Sequence, residues 1–403
     1  MISGADTVWL LMSSALVMLM TPGLAFFYGG MVRSKNVLNT LLLSFIALAV
    51  ISLEWVALGY SMAFGHDIGG VIGGLNHLFL SGVGLSPSTN YATTVPAIVF
   101  MVFQMMFAII TPALISGAVV ERMKFSSYVW FIFLWAIFVY NPLCHWVWGK
   151  GGWLGRLGAL DFAGGTVVHI NAGISALVAA LVLGKRKGYP SPRFVPHNLG
   201  LTAIGAGLLW FGWFGFNGGS ALAANKIAAL AFVTTQIAAA AASFSWIMAE
   251  WIHVGKPSTL GALSGLVAGL VAITPAAGFV SPMGAVFIGL GAGIICYIAV
   301  LLKARFGYDD SLDAFGVHGI GGIWGALATG IFACEGASGL LLGNWHQLFI
   351  QALAVGVSVV YAGGCSFIIL KLIEKTIGLR VEQEDEIMGL DLTAHGESGY
   401  KLI

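Results

Sequence analysis

Apolar runs of about twenty residues follow one another along nearly the whole chain, parted by short polar turns, and they decide what it can fold into. A helix needs roughly 20 mostly apolar residues to cross a bilayer. Eleven such runs begin near Thr7, Leu38, Thr94, Ser126, Ala163, Leu199, Ile227, Ser258, Pro282, Ser311 and Trp345. Of the 403 residues, 58% are hydrophobic and 9% charged, where a soluble domain carries roughly 25% charged. No soluble core hides that much apolar surface. The expected fold is an all-α membrane protein with about eleven transmembrane helices. The 56 glycines agree, because glycine lets membrane helices approach closely.

The formal net charge of +1 leaves no electrostatic footprint for nucleic acid. Cys144, Cys296, Cys334 and Cys365 have no metal-ligand spacing and read as packing residues, so neither a metal nor another cofactor is expected. Met1 to Asp6 lacks the basic region and cleavage site of a signal peptide, so the first run is expected to remain as a helix. Basic residues mark the cytoplasmic loops. With the N-terminus outside, only Lys150, Arg156 and Lys226 of the 18 basic residues face out; Arg193 and Lys401 are among those inside. That arrangement needs an odd number of spans. It predicts a multi-pass protein of the inner (plasma) membrane, N-terminus outside and C-terminus cytoplasmic. Residues 1–377 form the membrane domain, and 378–403 a polar cytoplasmic tail.

Two patterns occur twice. The first run ends in Phe27-Tyr28-Gly29-Gly30 and the sixth in Phe216-Asn217-Gly218-Gly219. The fifth contains Val168-His169 with Gly173 four residues on, and the tenth Val317-His318 with Gly322. An Asp lies eight residues before each histidine, Asp161 and Asp310. First matches sixth and fifth matches tenth, so the unit is five helices. Five is odd, so the second copy runs opposite to the first. This inverted 5+5 repeat places a substrate site between the halves. The repeats are expected over about 7–184 and 199–334, with an extra C-terminal helix over about 345–372.

His169 and His318 fall in mid-span, where an ionisable group is costly and marks a functional site by default. Gly165, His169 and Gly173 share a face, as do Ala314, His318, Gly322 and Ala326. Small neighbours would let the two helices approach and the rings meet. A helix-bridging hydrogen bond is the plainer alternative. A paired imidazole in an apolar passage offers lone pairs and N–H donors, which suits a small neutral polar solute or a proton relay.

At the outer side, Phe103 and Phe107 lie four apart, Trp148 follows the fourth span, and Ser220 follows the sixth. Aromatic faces attract small cations. The same residues also fit the aromatic belt of any membrane protein.

Taken together, these motifs resemble the ammonium transporter family, the Amt/Mep type related to Rhesus proteins. The segments that carry the likeness are Pro22 to Gly30, Phe103 to Ala108, Gly117 to Arg122, Asp161 to Asn171, Trp210 to Ser220, Phe315 to Gly319 and Gly389 to Glu397. The resemblance covers essentially the whole chain. It implies a homotrimer with one pore per protomer. It implies an outer ammonium-recruiting site of Phe107, Trp148 and Ser220, a gate of Phe107 and Phe216, and twin pore histidines His169 and His318. Asp161 matches the carboxylate behind the recruitment site, and Trp213 and Thr274 match pore-region positions. The tail is similar to one that packs on neighbouring protomers and, in some members, meets a PII-type signalling protein. In Asn141-Pro-Leu-Cys-His145 the Cys stands where bacterial relatives have Ala.

The function expected is an ammonium channel or transporter that recruits the cation, deprotonates it and passes ammonia, with or without the proton. Two alternatives stay open, an ammonium sensor and a Rhesus-like gas channel. An enzyme is not expected, since neither Ser-His-Asp spacing nor HExxH is present. Asp161 reads equally as a helix cap and as the source of a long-range field.

Overall fold

The computed structural model describes residues 1–88, 90–190 and 194–400. Arg193 and Lys401, counted above for sidedness, lie outside them. The described chain is mostly helical. Ten helical segments are long and apolar enough to cross a membrane: α1 Gly4–Met31, α2 Ser34–Phe64, α3 Ala97–Val119, α4 Phe125–Arg156, α5 Gly165–Leu183, α6 Leu199–Gly219, α7 Lys226–Val254, α9 Pro282–Phe306, α10 Phe315–Phe332 and α11 Trp345–Thr376. The other apolar run forms a shorter helix, α8 Thr259–Ile273, which stops before Pro275. Proline has no N–H to continue the hydrogen-bond ladder, which favours the stop. The eleven runs expected from the sequence thus appear as ten long helices and one short one. A small hairpin, β1 Asp67–Ile68 and β2 Ile72–Gly73, follows α2.

Short polar side chains start the helices. Ser3, Asn198, Asn225, Ser258, Ser281 and Asn344 each accept a hydrogen bond from a first-turn N–H. Such caps satisfy donors that the helix leaves open. Pro22 and Pro112 sit inside α1 and α3; in membrane helices, neighbouring groups satisfy what a proline frees.

The packing follows the repeat. The first helices of the two halves, α1 and α6, lie along one another. The fifth helices, α5 and α10, also meet, each touching the other's first turn. α11 packs outside the repeat against α4, α5 and α10. The tail adds two short helices, α12 Gln383–Met388 and α13 Leu390–His395. It docks on its own chain: the Asp391 carboxylate accepts from Leu38 N at 3.1 Å and Asn39 N at 2.8 Å, at the start of α2.

Beside it lies a buried ionic cluster. The Glu121 carboxylate takes Arg33 and Arg186, and Arg186 reaches on to Asp309 at 2.9 Å.

Candidate pore and outer cation site

At the end of the bundle expected to face out, a cavity of about 270 Å³ is lined by Phe64, Gln104, Phe107, Trp148, Phe162 and Ser220, among others. Phe107 comes from α3, Trp148 from α4, and Ser220 from the end of α6. The sequence therefore brought together three residues from distant segments. The Phe107 ring stands edge-on to Trp148, with centroids 5.9 Å apart at 88°. The Trp148 indole N–H donates to the Asp161 carbonyl at 2.8 Å, which fixes the ring's orientation. The Ser220 hydroxyl donates to the Phe216 carbonyl at 2.8 Å. Its only proton is thereby used, and its remaining capacity is to accept. That is the polarity a cation's N–H requires.

The Asp161 carboxylate does not enter this cavity. It accepts from the backbone of Gly164 at 2.8 Å, Gly165 at 2.5 Å, Thr166 at 2.8 Å and Val167 at 3.2 Å, and from the Thr166 hydroxyl. It caps α5. Its backbone carbonyl, through Trp148, links it to the outer site.

Below Trp148, the Phe107 and Phe216 rings lie against each other, tilted by 33° with centroids 4.2 Å apart, and both are buried. They close the floor of the outer cavity. Beneath them is a passage with only about 10 Å³ of free volume, lined by His169, Trp213, Phe216, His318 and aliphatic side chains such as Leu24 and Leu114. That is roughly the room one water needs.

His169 and His318 meet in this passage. Their Nδ1 atoms are 3.3 Å apart, with ring centroids at 5.4 Å and planes 19° from parallel. A contact between two imidazole nitrogens requires one to donate and one to accept, so the pair shares one proton position. No described residue is hydrogen-bonded to His169 Nε2. Trp213 stacks on His169 at 5.5 Å, and its indole N–H donates to Thr274 Oγ1 at 2.9 Å. The two pore-region positions named by the resemblance, Trp213 and Thr274, therefore meet each other, with Trp213 against His169.

The backbone under each histidine is not ordinary α-helix. Gly165–Ile170 and Phe315–Gly319 are π-helical turns, one opening α5 and one opening α10. Such turns often accompany functional sites. They modify the i±4 stripe expected from the sequence. A Cβ on Gly173 would lie 2.1 Å from Gly319 N, and one on Gly322 would lie 3.1 Å from His169 Cβ. The close approach of the two helices at these glycines is thus real. Gly165, by contrast, faces Pro275 rather than α10.

Past His318 a cavity of about 240 Å³ opens, lined by Phe27, Tyr28, Glu250, Tyr297 and Asp313. Phe27 and Tyr28 belong to the pattern that the sequence repeats, but sequence reasoning singled out neither Glu250, Tyr297 and Asp313 nor Gln104, whose Oε1 is buried with no hydrogen-bond partner among the described residues. Isolated polar residues next to apolar runs carry no motif.

A multi-pass helical bundle with an apolar passage between two halves has the architecture of a membrane transport protein. The family described as Ammonium Transporter Family matches residues 8–400. The chain is 52% identical to "Ammonium transporter" of Bacillus subtilis over 402 residues, covering 98% of each. It is 51% identical to "Ammonium transporter Amt1" of Archaeoglobus fulgidus, covering 99% of this chain and 100% of that one. A solved structure described as "Sensor Amt Protein" superposes with a TM-score of 0.91 at 33% identity, covering 97% of this chain and 98% of that one. The chain belongs to the ammonium transporter family.

Proposed function

We propose that this protein is a channel-like ammonium transporter. It recruits ammonium at Phe107, Trp148 and Ser220, removes a proton, and passes ammonia between Phe107 and Phe216 to the histidine pair. One observation carries the reading: a His169–His318 contact of 3.3 Å in a passage barely one water wide, directly behind an aromatic floor. Moving a bare ion into a low-dielectric medium costs on the order of 20 kcal/mol in the idealised limit. Ammonium escapes that cost by giving up a proton. Potassium, of similar size, has none to give. Selectivity then comes from a site that attracts cations followed by a passage that conducts the neutral form.

The same reading makes Asp161 a positioning group acting through its cap and its link to Trp148. It makes the protein a transporter rather than an enzyme, inserted in the plasma membrane with the N-terminus outside and the tail in the cytoplasm. Cysteine labelling from each side tests the orientation, and labelling of the tail from outside intact cells would contradict it. A homotrimer, and a PII-type protein at the tail, follow from the family pattern.

Purified protein in liposomes tests the function: an ammonium gradient should drive flux or current, and a potassium gradient should not. The likeness to "Sensor Amt Protein" supports one second reading, an ammonium sensor. Saturable ammonium binding without flux would favour it.

A further inference from the structure

α4 carries a third buried histidine near its outer end, one turn before Trp148. His145 is fully buried. Its Nδ1 lies 2.8 Å from the Ala63 carbonyl oxygen, and its Nε2 lies 3.0 Å from Asp67 Oδ1. A carbonyl and a carboxylate only accept. A neutral imidazole has one N–H, so it would leave a bare nitrogen against one of these oxygens. Asp67 stays on its ionised side: the hydrogen bond from His145, joined by Gly70 N–H at 2.7 Å and the charge of Arg156, holds its carboxyl below the usual range. The arrangement is satisfied only when both ring nitrogens of His145 carry hydrogen.

Resting on the transport reading above, we infer that His145 is held as an imidazolium, and that its ion pair with Asp67 positions the aromatic walls of the outer site. The pair stands between those walls. Asp67 opens the hairpin three residues after Phe64, which lines the outer cavity and packs against Tyr91 and Phe100 at 5.0 Å each. Trp148 lies three residues beyond His145 on the same helical segment. Trp146 makes a second tie from α4 to the hairpin, its indole donating to Val71 O at 2.6 Å. Of the two ties, only the one through His145 is an ion pair. A cation near the end of a helix is also favoured by the helix dipole.

The other titratable or charged groups around the pair are few. Arg156 lies near Asp67 on the following turn. Tyr91, whose hydroxyl takes Lys150 N–H at 3.0 Å, and Cys144 lie beside it. Asp161 sits beyond Trp148. Removing either member of the pair breaks this tie, frees the hairpin from α4 at that point, and loosens the hold on Phe64 and Trp148.

Nitrogen-15 NMR of histidine-labelled protein in bilayers tests the charge directly. The resonances lost in His145→Gln identify the residue. The inference expects two protonated ring nitrogens near neutral pH. It also expects Asp67→Asn, whose amide can donate to Nε2, to convert His145 to a neutral ring with one bare nitrogen. One bare nitrogen in the parent near neutral pH overturns it. This readout involves no ammonium, so its failure is separate from failure of the transport reading. The positioning role is tested by separating the half-saturation concentration for ammonium current from the maximal current. Asp67→Ala removes the carboxylate and with it the tie, so it should raise the half-saturation concentration with little change in maximal current. If Asp67→Ala does not assemble, His145→Gln serves the same comparison. Equal half-saturation concentrations in parent and variant contradict positioning by the pair.

Discussion

His169 and His318 touch through their Nδ1 atoms, 3.3 Å apart, from matching places in the two halves of the chain. Two residues 149 positions apart in sequence are brought within hydrogen-bonding reach by a pair of glycines, Gly173 and Gly322, each packed against the opposite helix. The contact is therefore a property of the fold as a whole.

Gly173→Ala should force α5 and α10 apart, because the added Cβ would lie 2.1 Å from Gly319 N and 2.3 Å from its Cα. Backbone atoms cannot swing aside as a side chain can. Overpacking of this kind typically costs about 1–3 kcal/mol. The expected outcome is a lower thermal unfolding midpoint together with reduced ammonium flux. An unchanged midpoint would show that the helices are not in contact there.

Trp148→Leu should weaken the selection of ammonium more than it slows conduction. A cation–π contact is worth about 0.5–2 kcal/mol, which is about a 2- to 30-fold change in preference. Competition between ammonium and larger amines in liposome flux measures it. If discrimination matches the parent, Trp148 is only part of an interfacial belt.

Glu121 should make stability depend on acid. It is fully buried. Burial alone would raise its carboxyl, but Arg186 and Arg33 outweigh that and hold it below its ordinary value of 4.5. A group whose folded pKa is depressed stabilises the fold at pH above its unfolded value, and that contribution is lost as pH falls through the folded value. Removing one partner of a buried pair costs about 3–5 kcal/mol. Glu121→Gln should therefore lower the unfolding midpoint strongly at neutral pH and progressively less as pH drops below 4.5. A deficit of constant size across that range would rule out the charge as its cause.

Asp391→Ala should release the tail. Its carboxylate serves as a cap for α2, supplied from 352 residues away, and a lost cap typically costs about 0.5–2 kcal/mol. Limited proteolysis should cut the variant's tail faster than the parent's. If regulation by nitrogen status is lost with it, the tail acts as a regulator; equal cleavage rates would show that Asp391 does not hold it.

Much of this was legible in the sequence because the informative residues carry a pattern. The apolar runs gave the helices, and the matched positions of His169 and His318 gave the halves. Phe107, Trp148 and Ser220, named by the resemblance from three distant segments, line one cavity. Other features leave no such mark. A π-helical turn differs from an α-helical one by less than a residue per turn, and Gly165–Ile170 has no composition that announces it. The short α8 ends near a proline that the run's hydropathy alone overlooks. Asp161 read equally as a cap and as a field source, and only coordinates show backbone donors closing around its carboxylate. Gln104 and the residues of the inner cavity are ordinary as single letters and become notable only through what they face.

The histidine pair itself gives the most direct test. Trimer retention and unfolding temperature would first establish that variants at His169 and His318 fold. Currents for ammonium and for potassium would then be compared in liposomes. Asp at either position places a fixed negative charge in the passage, so the account predicts that potassium leaks where the parent excludes it. Ala at both positions should abolish relay-dependent, charge-coupled transport while the protein still assembles. Folded variants whose ion selectivity and currents match the parent throughout would contradict the claim that these two residues line the conducting path.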